Sequence, residues 1–99
     1  RRIRAKDTPF HRAVADQVEA YPFFRAYSWT LLHDPLAVAS IIDPTLVQTE
    51  RVHVDVELAG EHTTGATLMR FDPQGTVEVA VSVDVSRFEE FFVQRLEAM

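Results

Sequence analysis

His33 and Asp34 stand side by side immediately before Pro35, and no other residues in this chain are of types and spacing so well suited to chemistry. A carboxylate is a hard oxygen donor for a divalent cation, and an imidazole with a free pKa of about 6.5 exchanges protons near neutrality. The same residues also read as a helix start, in which a side-chain oxygen ahead of a proline accepts a backbone N–H of the first turn. The two readings are compatible, because a carboxylate has two oxygens and one could cap while the other binds. His53, Asp55 and Glu57 fall on one face of an alternating stretch and read as a solvated polar face. His11 and His62 read as surface residues, one on a helix and one in a loop.

The elements that would carry these residues follow from periodicity and breakers. Asp7-Thr8-Pro9 predicts a helix over residues 9–20, with Phe10, Val14 and Val18 as its apolar face. Pro22 breaks the chain after Tyr21, and an aromatic-rich stretch leads to His33-Asp34-Pro35. A helix over residues 35–42 is apolar nearly all round and is expected to be buried on most sides, with Asp43-Pro44 ending it. The period then changes to two, and Val52, Val54, Val56 and Leu58 predict a half-buried strand.

After a loop over residues 60–65, a second strand spans residues 66–71, and Asp72-Pro73-Gln74-Gly75 reads as a turn whose glycine tolerates a left-handed backbone. Val77, Val79, Val81 and Val83 alternate along a third strand. Ser86-x-x-Glu89 reads as a capping box opening a last helix with Phe88, Phe91, Phe92 and Leu96 on one face. The order is helix-helix-strand-strand-strand-helix, an α/β class, in a single unit over residues 1–99.

Composition narrows the function. At 99 residues and 46% hydrophobic the chain is at most one small globular domain. A net charge of −5 has the wrong sign for holding nucleic acid through phosphates, so no nucleic-acid partner is expected. Arg1, Arg2, Arg4 and Lys6 read as a solvated terminal segment without function. The absence of cysteine excludes disulfides and thiolate metal sites and fits a cytoplasmic location. No apolar run is long enough for a membrane span, so no membrane partner is expected. The chain opens on Arg1 with no methionine and is expected to be a piece of a longer protein.

The run His33-Asp34-Pro35-Leu36-Ala37-Val38-Ala39, followed by Ile42-Asp43-Pro44, closely resembles the C-terminal signature of the inosine-uridine nucleoside hydrolase family. The resemblance continues through residues 50–57, Thr64-Gly65, and Val83-Asp84 before the closing helix, and covers the chain from about Thr8. It implies the C-terminal fragment of a nucleoside hydrolase-like fold. It also implies a Ca2+-dependent cleavage of the N-glycosidic bond of ribonucleosides, giving ribose and free base for nucleoside salvage. By this resemblance Asp34 is a Ca2+ ligand, His33 donates a proton to the departing base, and Tyr21 and Arg25 close over the base.

The family's N-terminal acidic run, which supplies further Ca2+ ligands and the general base, has no counterpart here. Ca2+ takes about six to eight oxygens, so the 99 residues alone are expected to be inactive and to bind the ion negligibly. A homo-oligomer is expected, since a chain cut from a larger sheet leaves apolar faces and strand edges uncovered. The alternative is a non-catalytic α/β interaction or dimerisation module with a self-sufficient core.

Overall fold

The computed structural model describes all 99 residues. The chain divides into two compact units, one formed by Arg1–Leu46 with Asp84–Met99, the other by Val47–Val83.

The first unit holds five helices, α1 (Arg2–Ala5), α2 (Pro9–Ala20), α3 (Pro22–Tyr27), α4 (His33–Ile42) and α5 (Val85–Glu97), with a 3-10 turn at Pro44–Leu46. Their ends have local causes. The Thr8 hydroxyl oxygen accepts the His11 N–H at 3.3 Å while Pro9 sits in the first turn of α2. Pro22 sits in the first turn of α3, so one proline both stops α2 and starts α3. Ser28 ends α3 in the left-handed region at φ 60°. At α5 the cap is Asp84, whose carboxylate accepts the Arg87 N–H at 3.1 Å. The Ser86 capping box is therefore displaced, and Arg87 occupies the position where the box places an acid.

Three further expectations are corrected in this unit. The basic N-terminus is not a loose segment. It forms α1, with Arg2 paired to Glu90 (2.7 Å) and Glu97 (2.6 Å) on α5, and Arg4 paired to Asp16 (2.7 Å) and Glu19 (2.8 Å) on α2. His11 is not a surface residue but is 2% exposed. Fourfold spacing advances 400°, so the stripe Phe10-Val14-Val18 drifts around the helix. The face that turns inward combines steps of three and four: His11 and Ala15 are buried, Val14 and Val18 half-buried, and Phe10 exposed. The His11 ring lies 2.8 Å from the Leu96 carbonyl through Nε2 and 2.6 Å from the Thr8 hydroxyl through Nδ1. A carbonyl only accepts, so Nε2 donates to Leu96, while Nδ1 and the Thr8 hydroxyl share the second hydrogen bond. The ring thus joins the start of α2 to the end of α5.

The third correction concerns α4. Ala39 is buried, but Val38 and Ile42 are exposed and Ile41 is 81% exposed. An all-round apolar helix states how much surface must be covered, not that its own chain covers it. The unit's core is correspondingly small, built on Ala15, Ala39, Leu46 and Phe88, with Phe88 stacked at 6.0 Å on Phe92.

The second unit is a three-stranded antiparallel sheet in the order β2-β1-β3, from β1 (Val47–Val56), β2 (Thr67–Phe71) and β3 (Val77–Val83). β2 pairs with residues 52–56 of β1, and β3 with residues 47–52 on the opposite edge. Val52 is the one position paired on both sides, to Phe71 and Val77, and it is completely buried. Between those partners the chain crosses β1. The Asp72 N–H donates to the Arg51 carbonyl at 3.1 Å, and Gly75 lies against the Val52 backbone.

A Cβ at Gly75 would stand 2.7 Å from the Val52 nitrogen. Gly75 is not in the left-handed region, which Gly65 occupies at φ 89°; its glycine serves a close approach of backbones instead. Val81 is skipped between the pairs Gln48↔Ser82 and Thr49↔Ala80, a β-bulge that places Val83 on the face opposite Val77 and Val79. The four-valine alternation is therefore broken. Val52, Val54, Val56, Met69, Phe71, Val77 and Val79 share the apolar face, of which Phe71 is 62% exposed. His53 and Asp55 share the polar face at 3.2 Å, while Glu57 turns to accept the N–H groups of Ala59 (2.7 Å) and Gly60 (3.0 Å). No helix is long and apolar enough to cross a membrane.

Candidate functional site

α4 begins at His33, so His33 and Asp34 occupy its first turn, and both are exposed. The capping position is Leu32, which offers no side-chain cap. Asp34 therefore does not serve as the helix cap, and both of its oxygens stay free of protein donors. Its charge lies at the positive end of the helix dipole, a favourable placement for a carboxylate. Adjacent helical residues diverge by about 100°, so the two side chains leave the helix in different directions from one short stretch of backbone. Asp34 borders an open apolar cleft of about 400 Å³ between α4 and α5, lined also by Val38, Ile42, Phe91 and Arg95. The Arg95 guanidinium sits 5.0 Å over the Phe91 ring, which holds it at the rim of this cleft.

Tyr21 and Arg25 lie on the neighbouring element. Tyr21 is the residue at which α2 ends and α3 begins, and its carbonyl accepts the Arg25 N–H at 3.1 Å. Both are exposed, and the one-turn spacing puts them along one side of α3. Tyr21 opens a surface row of aromatic rings through Phe23, Tyr27 and Trp29, with centroids 4.6 to 6.5 Å apart. No hydrogen bond, ion pair or ring contact links the pair Tyr21 and Arg25 to His33 and Asp34.

A feature not read from the sequence lies at the other end of α4. Asp43 follows the helix, and its carboxylate accepts the Thr45 N–H (3.0 Å) and hydroxyl (2.6 Å) through Oδ1 and the Arg87 guanidinium (2.9 Å) through Oδ2. Arg87 also donates to the Thr45 carbonyl (3.2 Å) and hydroxyl (2.7 Å). The Thr45 hydroxyl first, then the Thr45 N–H and the Arg87 charge, hold the Asp43 carboxyl below the usual carboxylate range. Asp43-x-Thr45 after an apolar run was the available local sign of this turn. The arginine that completes it stands far along the chain, with nothing in the sequence to pair them.

The donor set bears on the expected Ca2+. The ion requires about six to eight oxygens, and Asp34 supplies two at most. No group of three or more acidic or imidazole side chains gathers in this chain. The residues present do not by themselves make up a Ca2+ site.

Comparison with known proteins gives concordant matches. The family model described as inosine-uridine preferring nucleoside hydrolase matches residues 1–90. The chain is 46% identical over 70 residues to an inosine-uridine preferring nucleoside hydrolase of Leishmania major, a match covering 67% of this chain and 22% of that protein. It is 30% identical over 105 residues to the pyrimidine-specific ribonucleoside hydrolase RihA of Shewanella woodyi, covering 97% of this chain and 34% of that one. A solved structure, the purine-preferring ribonucleoside hydrolase from Gardnerella vaginalis, superposes with a TM-score of 0.82 at 34% identity, over 98% of this chain and 33% of the other. The chain thus spans at most about a third of the length of these relatives.

Proposed function

The chain belongs to the inosine-uridine preferring nucleoside hydrolase family, and from that premise we propose that it is the C-terminal part of a Ca2+-dependent enzyme that cleaves ribonucleosides to ribose and free base. The observation that carries the proposal is the pair His33 and Asp34, both exposed on the first turn of α4 within the run that resembles the family signature. In this reading His33 delivers a proton to the departing base, whose negative charge would otherwise oppose bond cleavage. Asp34 contributes one carboxylate to a Ca2+ whose remaining ligands lie outside these 99 residues. When bound, the ion supplies a hold on ribose hydroxyls and an acidified water. Tyr21, just ahead of α3, and Arg25 within it cover the base.

The relatives' descriptions divide between pyrimidine-specific and purine-preferring, so the substrate is proposed as ribonucleosides in general. Exposure of Val38, Ile41 and Ile42 on α4 supports both parts of the picture: further chain packing on α4, and homo-oligomeric assembly, which a monomer by sedimentation of the whole protein would contradict. We place the protein in nucleoside salvage in the cytoplasm.

The test compares the whole protein with its His33→Ala variant. Turnover of nucleosides with poorly departing bases is expected to fall on the order of 10²- to 10⁴-fold. Turnover of a riboside whose leaving group departs without a proton should hold nearly constant. Equal losses on both would remove His33 from the role of acid.

A further inference from the structure

We propose that Arg87 is a positioning residue for the His33 and Asp34 end of α4, acting through Asp43 and Thr45; this rests on the reading above. Little of what holds α4 is directional. Its contacts along the cleft, through Val38, Ala39 and Ile42, are apolar and carry no direction. Its one side-chain hydrogen bond from within the helix, Ser40 to the Ala37 carbonyl at 2.8 Å, is internal and ties it to nothing.

Directional bonds appear only where α4 ends. Asp43 accepts from Arg87 at 2.9 Å, and Arg87 reaches the Thr45 carbonyl and hydroxyl. The arginine is itself fixed, because its N–H is the group that the Asp84 cap binds at 3.1 Å and the Asp84 N–H donates to the Leu46 carbonyl at 3.0 Å. Leu46 and Phe88, buried beside these groups in the chain, anchor the two elements that meet there. The end of α4 and the start of α5 are thereby tied in one joint, and α4 projects from it.

The lever arm gives the joint its consequence. Asp34 precedes Asp43 by nine positions, which at the rise of an α-helix is about 13 Å. A tilt of roughly 4° at the joint displaces Asp34 by about 1 Å over that length, and a misplacement of about 1 Å at a reacting centre can cost on the order of 10²-fold in rate. Arg87 bonds the end of α4 opposite to His33 and Asp34. Its effect passes through the axis of α4.

The experiment uses the whole protein, with Arg87→Met, Arg87→Lys, Asp43→Ala and the double variant Asp43→Ala with Arg87→Met. We expect Arg87→Met to lower kcat on the order of 10- to 100-fold, with a smaller change in KM. Amide exchange should quicken in α4 and stay unchanged in α2. Arg87→Lys, which keeps a charge and one donor, recovers part of the rate and remains the readable variant if Arg87→Met fails to fold. The double variant should lose no more than the worse single one, because both break one joint. A kcat within twofold of the unmodified protein, multiplicative losses in the double variant, or equal quickening of exchange in α2 and α4 would overturn the proposal. If the unmodified protein releases no base, the functional reading fails separately, and the exchange pattern alone then decides for or against the joint.

Discussion

At Gly75 a single hydrogen in place of a methyl group lets the chain cross its own strand. The crossing is fixed by the sheet order, since β2 and β3 lie on opposite edges of β1 and only the five residues between Phe71 and Val77 connect them. Any side chain at that point meets the Val52 backbone, which cannot swing aside as a flexible side chain can. We therefore expect Gly75→Ala to destabilise the sheet by roughly 1–3 kcal/mol, the range of overpacking in a filled interior. Urea denaturation followed by circular dichroism would read this as a lower midpoint, and an unchanged midpoint would contradict it. Residues such as Thr8, Pro9 and Pro22 were legible in the sequence because their effect is exerted within a few positions. Gly75 and His11 were not, because the groups that explain them, Val52 and Leu96, are distant in sequence. His33 and Asp34 stood out as a motif, but their freedom from protein partners is a property only the folded chain shows.

Among the elements, α1 shows how electrostatics can place a helix too short to hold itself. Four residues are below the length at which helices persist alone, and none of the four is buried. Beside the half-buried Ile3, its polar attachment is by Arg2 to Glu90 and Glu97, and by Arg4 to Asp16 and Glu19. The Arg2 guanidinium, by hydrogen bond and charge, holds the Glu90 and Glu97 carboxyls below their ordinary value of 4.5. A carboxyl lowered in the folded state stabilises it fully above the unfolded value, and the contribution is lost as pH falls through the folded one. Attachment of α1 is thus expected to be complete above about pH 4.5 and lost progressively below it. Limited proteolysis near Lys6 at pH 6 and pH 3, with an acid-stable protease, would read faster cleavage at the lower pH. Added salt near neutrality should move the same way, because these pairs are exposed and screened. By its sequence alone this basic run reads as a solvated tail, because the acids that receive it lie on α2 and α5 and a charge run by itself names no partner.

For the molecule as a whole, α2, α4, the three strands and α5 were legible from hydrophobic period and turn residues, while the short helices α1 and α3 and the amount of apolar surface left open were not. Val38, Ile41 and Ile42 on α4, and Met69 and Phe71 on the sheet, are exposed within their own units, and each unit's core is correspondingly thin. The proposed cation site has the same incompleteness in polar form. Asp34 is one carboxylate, and no acidic or imidazole cluster stands ready to complete a shell of about six to eight oxygens. A cation held by a single exposed carboxylate keeps most of its water and gains little over its solvated state. The isolated 99-residue chain should therefore give no saturable heat when titrated calorimetrically with Ca2+ in the micromolar range, and should release no base from ribonucleosides. The whole protein should bind the ion, and Asp34→Asn within it should weaken that binding. One-to-one micromolar binding to the isolated chain would mean that these residues hold the cation unaided, and Asp34 would then have to be reassigned from a contributor to the principal ligand.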